Sequence, residues 1–119
     1  MNIKIIKIKG KNIADMTNEN IEFNNVQDAI DLLGNCSFNG AQSVIISKEC
    51  ITPEFFDLKT GLAGDILQKF SNYQFKLAVV GDFNNIQSKS LNDFIYESNK
   101  IGRINFVETI DEAINSLSF

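Results

Sequence analysis

Apolar residues recur along this chain in two rhythms, short β-branched runs and stripes at helical spacing. The first run is Ile3 to Ile8. Ile3 and Ile5 share one face of an extended chain while Ile6 and Ile8 share the other, so the phase slips. That predicts a strand buried on both sides, or a bulge. Gly10 with Lys11 and Asn12 marks a turn, and Ile13 to Met16 offers a short second strand antiparallel to the first. Asn25 then reads as an N-cap, with Val26, Ala29, Ile30 and Leu33 at helical spacing and Gly34 as the stop.

The continuous run Ser43 to Ser47 predicts a buried parallel strand. Thr52-Pro53-Glu54 is a helix start: a capping hydroxyl, proline at the first helical position, an acid in the first turn. Thr60-Gly61 offers a second start, because Leu62, Ala63, Ile66, Leu67 and Phe70 behind it form an apolar stripe. Phe75 to Val80 is the best strand in the chain and ends at Gly81-Asp82. Ser90-Leu91-Asn92-Asp93 has the capping-box pattern, with Leu91, Phe94 and Ile95 facing inward. Gly102 closes that connection, and Arg103 to Val107 gives another strand. Thr109-Ile110-Asp111-Glu112 is a second capping box, followed by the stripe Ile110, Ala113, Ile114, Leu117 of a docked C-terminal helix.

The resulting order is β-β-α-β-α-β-α-β-α. Strands alternating with helices predict an α/β fold: a mixed, mostly parallel sheet of four or five strands with crossover helices and an antiparallel element at the start. No linker, repeat or low-complexity stretch divides residues 1–119, so the expectation is a single domain.

Composition narrows the chemistry. Fifteen acidic residues against 11 basic ones give a net charge of −4, which argues against a nucleic-acid partner. Lys4, Lys7, Lys9 and Lys11 alternate with isoleucines and read as the solvated side of a strand, with a phosphate-binding patch as the sharper alternative. Met1-Asn2-Ile3-Lys4 lacks the apolar core of a signal peptide, and no run approaches a membrane span, so a cytoplasmic location without membrane contact is expected. In that compartment Cys36 and Cys50 are free thiols. The chain has no histidine, which removes Ser-His-Asp and Cys-His catalysis and the common zinc sites. Neither the GxxxxGK[ST] phosphate loop nor the GxGxxG fingerprint is present, and no cofactor or metal is expected.

The element order is similar to the STAS fold, the domain of anti-sigma-factor antagonists and sulfate-transporter tails. The resemblance reaches the stretch Asp57-Leu58-Lys59-Thr60-Gly61-Leu62-Ala63-Gly64. There Thr60 stands at the position before Gly-Leu that antagonists phosphorylate on serine, although an extra residue separates Asp57 from Thr60. A longer resemblance runs from about Ile51 to Val107. Phe55 to Gly64, Gln68-Lys69-Phe70, Leu77 to Phe83 and Ser90 to Asn99 look like domain-of-unknown-function family 4180. That family implies a small stand-alone bacterial protein and no established activity.

The candidate residues follow. In open α/β sheets ligands sit beyond the carboxyl ends of the strands, which selects Asp82 and Phe83. The plainer reading of Asp82 is a turn aspartate bonded to its own backbone. Thr60 and Gly61 stand at a helix start that suits an anion or a phosphoryl group, the plainer reading being an N-cap hydroxyl. Gly61 and Gly64 would let that helix approach the sheet. Adjacent Phe55 and Phe56 point apart on a helix, so both pack in the core or one lines a groove or a homodimer interface. Asp57, Asp82, Glu97 and Arg103, with Tyr96 and Asn99 near them in sequence, are the acid-base set available. The leading expectation is a non-enzymatic STAS-like regulatory or protein-interaction module facing its partner with the Thr60 helix start and the loop after Val80. The alternative is a small-molecule binding protein or enzyme, taking an anion, nucleotide or lipid, with its cleft near Asp82.

Overall fold

The computed structural model describes residues 3–118; Met1 and Asn2 of the signal-peptide reading lie outside them. Among the described residues no helix is long and apolar enough to cross a membrane.

Strands β1 (Lys4–Ile8) and β2 (Lys11–Asp15) form a hairpin. Its two-residue turn is Lys9-Gly10, with φ of 51° and 74°. Two successive left-handed residues match the twist of the flanking strands, and Gly10 adopts this at no steric cost. The strands pair without interruption from Lys4↔Asp15 to Ile8↔Lys11. The phase slip in the isoleucines therefore reflects two-sided packing and not a bulge: Ile3 and Ile5 pack into one core cluster, Ile6 and Ile8 into the other.

Strands β3 (Ser43–Ser47), β4 (Lys76–Val80) and β5 (Ile104–Val107) continue the sheet, each parallel to its neighbour. The spatial order is β1-β2-β3-β4-β5, identical to the order along the chain. Right-handed crossovers that always step the same way place their helices on one face. That face carries α1 (Val26–Phe38), α3 (Leu62–Asn72) and α4 (Lys89–Ile101). They pack on the strand residues Ala14, Val44, Ile46, Leu77, Val79 and Phe106. The last helix, α5 (Ile110–Leu117), covers the opposite face, where Ala113 and Leu117 meet Ile13, Ile45 and Ala78. Period-two alternation along each strand feeds both cores.

Four sequence readings shift. The hairpin turn is Lys9-Gly10 and not Gly10-Lys11-Asn12, because Lys11 and Asn12 pair with Ile8 and Lys7 as the first residues of β2. Helix α1 runs through Gly34 to Phe38, because Ala29, Leu32, Leu33 and Cys36 continue the buried stripe for another turn. Gly34 is an exposed mid-helix residue, and the turn back to β3 uses Gly40 at φ 89°. The cap of α4 is Ser88, whose Oγ accepts from the Leu91 N–H at 3.2 Å, while Ser90 lies inside the first turn. Ile110 opens α5 beyond the edge of the core and stays exposed. Elsewhere local chemistry holds. The Asn25 and Thr109 side chains accept from the Asp28 and Glu112 N–H groups, at 2.8 Å and 3.1 Å.

Between β3 and α3 the chain inserts a 3-10 turn (Lys48–Cys50), the single-turn helix α2 (Pro53–Phe56) and a second 3-10 turn (Leu58–Thr60). This insertion builds the wall of the candidate site.

Candidate functional site

Because β2 to β5 run parallel, their carboxyl ends share one end of the molecule. A sheet in sequential order has no switch point at which adjacent crossovers diverge to open a crevice. The cleft here has another origin: α2 stands off the ends of β3 and β4 and faces the loop that follows β4. The space between is about 620 Å³. Ile51, Pro53 and Phe56 line one side, Ile86 and Leu91 the other, and Val80 and Gly81 lie between; Lys48, Glu49 and Asp82 are its charged residues.

Phe55 and Phe56 divide the work of holding α2. Phe55 is buried at 1% exposure, with its ring edge-on to Phe23 at 6.4 Å, so it offers no surface for a homodimer. Half-buried Phe56 lines the cleft and meets Phe83 at 6.3 Å and Phe106 at 6.4 Å. Phe83 in turn stands nearly perpendicular to Phe106 at 5.4 Å. Edge-to-face pairs of this kind each add about 1 kcal/mol beyond the area they bury.

Lys48 is the residue that the sequence reading missed. Its ammonium donates to the Asp82 carbonyl at 2.6 Å. The same nitrogen lies 4.9 Å from the centroid of the Phe83 ring and 5.9 Å from that of Phe56. The stem lies hard against Gly81: a β-carbon there would be 2.5 Å from Lys48 Cβ and 2.9 Å from its Cδ. Gly81 is therefore required by the lysine beside it, since its φ is not in the left-handed region. The available clue was a lysine immediately after the buried strand Ser43–Ser47, at the end where ligands sit.

Asp82 does face the cleft. Its Oδ1 accepts from the Asn84 N–H at 2.9 Å, the self-capping turn that was the plainer reading. Asn84 Nδ2 donates to Glu108 at 2.7 Å, and Asn92 Nδ2 to the Ile86 carbonyl at 2.8 Å, which ties the loop to β5 and α4.

Asp57, Thr60 and Gly61 form a separate exposed turn at the start of α3. Asp57 Oδ1 accepts from the Lys59 N–H at 3.2 Å. The Thr60 hydroxyl lies within donating distance of two carbonyls, Glu54 at 2.8 Å and Asp57 at 2.9 Å, and accepts from the Leu62 N–H at 3.2 Å. Gly61 has φ of 76°, so it serves the reversal into α3. A β-carbon on Gly61 or Gly64 would meet nothing within 4 Å, so neither glycine brings the helix close to the sheet.

Arg103 is not gathered with Asp82. It precedes β5 beside Lys76, at the opposite end of the sheet. Glu97 and Tyr96 lie exposed on α4. Asn99 serves the sheet: its Oδ1 accepts from the Phe106 N–H at 2.6 Å and its Nδ2 donates to the Phe106 carbonyl at 3.1 Å. Cys36 is fully buried, and burial pushes its thiol up to about 11, which keeps it protonated and unreactive. Cys50 is half-buried and also free.

A mostly parallel sheet in sequential order, with an apolar cleft at its strand ends, defines the class as a small α/β fold with a concave site at the carboxyl ends of its strands. The model of the family described as Domain of unknown function (DUF4180) matches residues 8–117, so the chain belongs to that family. No curated protein and no solved structure matches the chain.

Proposed function

We propose that this chain is a non-enzymatic binding module of the bacterial cytoplasm that takes a small, largely apolar molecule into the cleft between α2 and the loop after β4. The carrying observation is the cleft itself. Its 620 Å³ falls within the range of about 300–1,000 Å³ usual for small-molecule sites, and its lining is apolar with a few convergent polar groups. The carboxylates and the arginine considered for acid-base work are spread over separate surfaces, which supports binding over catalysis.

The test is a thermal-shift screen of small metabolites, repeated on Phe56→Ala. A ligand of the cleft raises the wild-type midpoint and loses that effect in the variant. A folded wild-type protein that responds to nothing in the screen sinks the reading, and so does a shift that survives Phe56→Ala.

A second reading is a STAS-like regulatory module that docks a protein partner through the turn at Thr60. Its support is the STAS-like element order together with the exposure of Asp57, Thr60 and Gly61 at the start of α3, next to the helix that walls the cleft. A phosphoryl group on Thr60 would replace the hydroxyl proton that holds the turn to Glu54 and Asp57, so modification would loosen the turn as well as add charge. Here Thr60→Glu weakens a partner complex and leaves ligand shifts in the cleft intact; a complex indifferent to Thr60→Glu removes this reading.

A further inference from the structure

We infer that the ligand of the cleft carries an organic ammonium group, seated on the rings of Phe83 and Phe56 where the Lys48 ammonium now lies. The inference rests on the cleft being a ligand site, and it names the class of ligand.

Two independent observations point to a cation. The first is the seat. A carbonyl acceptor and two aromatic faces already hold an ammonium in place, at 2.6 Å from the Asp82 oxygen and 4.9 Å and 5.9 Å from the ring centroids. Neither rings nor a carbonyl offer a hydrogen to an anion, whereas both attract a positive charge. The second is the field. Every acidic side chain except Glu97 lies at the cleft end of the molecule, by its place at a strand's carboxyl end or in the first half of a helix. Only Lys4, Lys48, Lys59 and Lys89 share that end with them, and Lys89 is paired with Asp93 at 2.8 Å. An anion approaching the cleft crosses this potential to reach one lysine already engaged. A cation is drawn in by it.

The geometry also fixes how the ligand meets Lys48. The root of the lysine stem lies against Gly81, while its ammonium sits at the exposed mouth and can swing into solvent, so a ligand amine competes with it for the ring faces. The apolar body of the ligand then lies along Ile51, Pro53, Ile86 and Leu91. Lys48 thus acts as a built-in competitor that sets a threshold for binding.

Three probes share one aromatic body and differ in charge: 2-phenylethylamine, 2-phenylethanol and 3-phenylpropionate. Titration calorimetry with wild type, Lys48→Met, Phe83→Leu and Phe56→Ala separates the cases. The amine binds wild type more tightly than the alcohol, and the carboxylate does not bind. Lys48→Met strengthens the amine by roughly tenfold, because the competing cation and its repulsion are gone. Phe83→Leu keeps the apolar volume and weakens the amine by several-fold while leaving the alcohol unchanged. Carboxylate binding that is lost in Lys48→Met overturns the inference. So does an amine that fails to bind at millimolar concentration, or one indifferent to both Lys48→Met and Phe83→Leu. Alcohol or carboxylate that binds wild type at least as tightly as the amine, and loses that binding in Phe56→Ala, leaves the cleft reading standing and removes only the ammonium.

Discussion

The seven glycines of this chain do unlike things, and single substitutions tell them apart. Gly34 and Gly64 are exposed within helices, and an added β-carbon at either would touch nothing within 4 Å. Alanine there removes backbone freedom from the unfolded chain without strain, so each of Gly34→Ala and Gly64→Ala is expected to raise the unfolding free energy in urea by about 0.5–1 kcal/mol. Gly61→Ala is expected to lower it by about 1 kcal/mol, because its φ of 76° is costly for any residue with a β-carbon. Gly81→Ala has a different signature. Its β-carbon would fall 2.5 Å from Lys48 Cβ, the root of the side chain, so the backbone must shift, and the substitution is expected to lower stability as well as to move the cleft's internal cation. Cys36 gives the pH counterpart. Its thiol is raised by burial from 9.0 to about 11, so the folded chain keeps a proton that the unfolded chain releases across that window. Stability from this group is complete below pH 9 and falls as the pH rises toward 11. Over the same range Lys76, whose ammonium is lowered by burial and by Lys11 and Arg103, acts in the opposite sense as its unfolded form deprotonates. The difference between wild type and Cys36→Ala isolates the thiol: the gap in urea midpoint between them should change above pH 9, and a gap that stays constant to pH 11 would refute the assignment.

At the scale of elements, the two open edges of the sheet are treated differently. The β1 edge carries exposed Lys4 and Lys7, a charge guard against pairing with another chain. On the β5 edge, the side-chain amide of Asn99 meets both backbone groups of Phe106 as a neighbouring strand would. Asn99→Ala strips both bonds and is expected to cost about 1–3 kcal/mol. Hydrogen exchange read at the Phe106 amide checks this, since the loss should be largest there; unaltered protection would mean that β5 does not need the cap. Elements written by local chemistry were legible in the sequence: the Asn25, Thr52 and Thr109 caps, the Ser43–Ser47 and Lys76–Val80 strands, and their parallel alternation with helices. What escaped depends on distant partners. Helix α1 passes Gly34 because Cys36 docks on the sheet, and a stop residue says nothing about a tertiary stripe that continues beyond it. Asp82 was visible as the end of a strand. Lys48 was not, because its place depends on Gly81, which meets it only when β3 and β4 align. Arg103 stands close to Val107 in sequence, yet four residues of extended chain separate the two ends of β5, about 13 Å. The acid-base set therefore divides along the strand.

The whole molecule carries its charge as two poles, and the topology explains why. Helices α1, α3, α4 and α5 each begin at the cleft end and run back along the sheet, so their four macrodipoles point the same way. Acids suit the amino ends of helices and bases the carboxyl ends. The first turns carry Asp28, Asp65, Asp111 and Glu112, and the late turns of α3 and α4 carry Lys69 and Lys100. Choices made helix by helix add up to an acidic cleft end and a basic far end, where Lys7, Lys9, Lys11, Lys76 and Arg103 also lie. A net charge of −4 hides this separation. Spread evenly, the same charges would exclude the protein from a sulfonate resin at pH 7. Separated, they let the basic end adhere while the acidic end faces away from the resin. The wild-type chain is therefore expected to be retained on a cation exchanger at low salt. It should elute once the screening length falls to about 8 Å, near physiological ionic strength. The double variant Lys100→Glu, Arg103→Glu should pass through unretained and still bind an anion exchanger. Passage of the wild-type chain straight through the sulfonate resin would show that the far end generates too weak a field to act at a distance. The field credited with drawing a cation to the cleft rests on the same separation, so that result would weaken both.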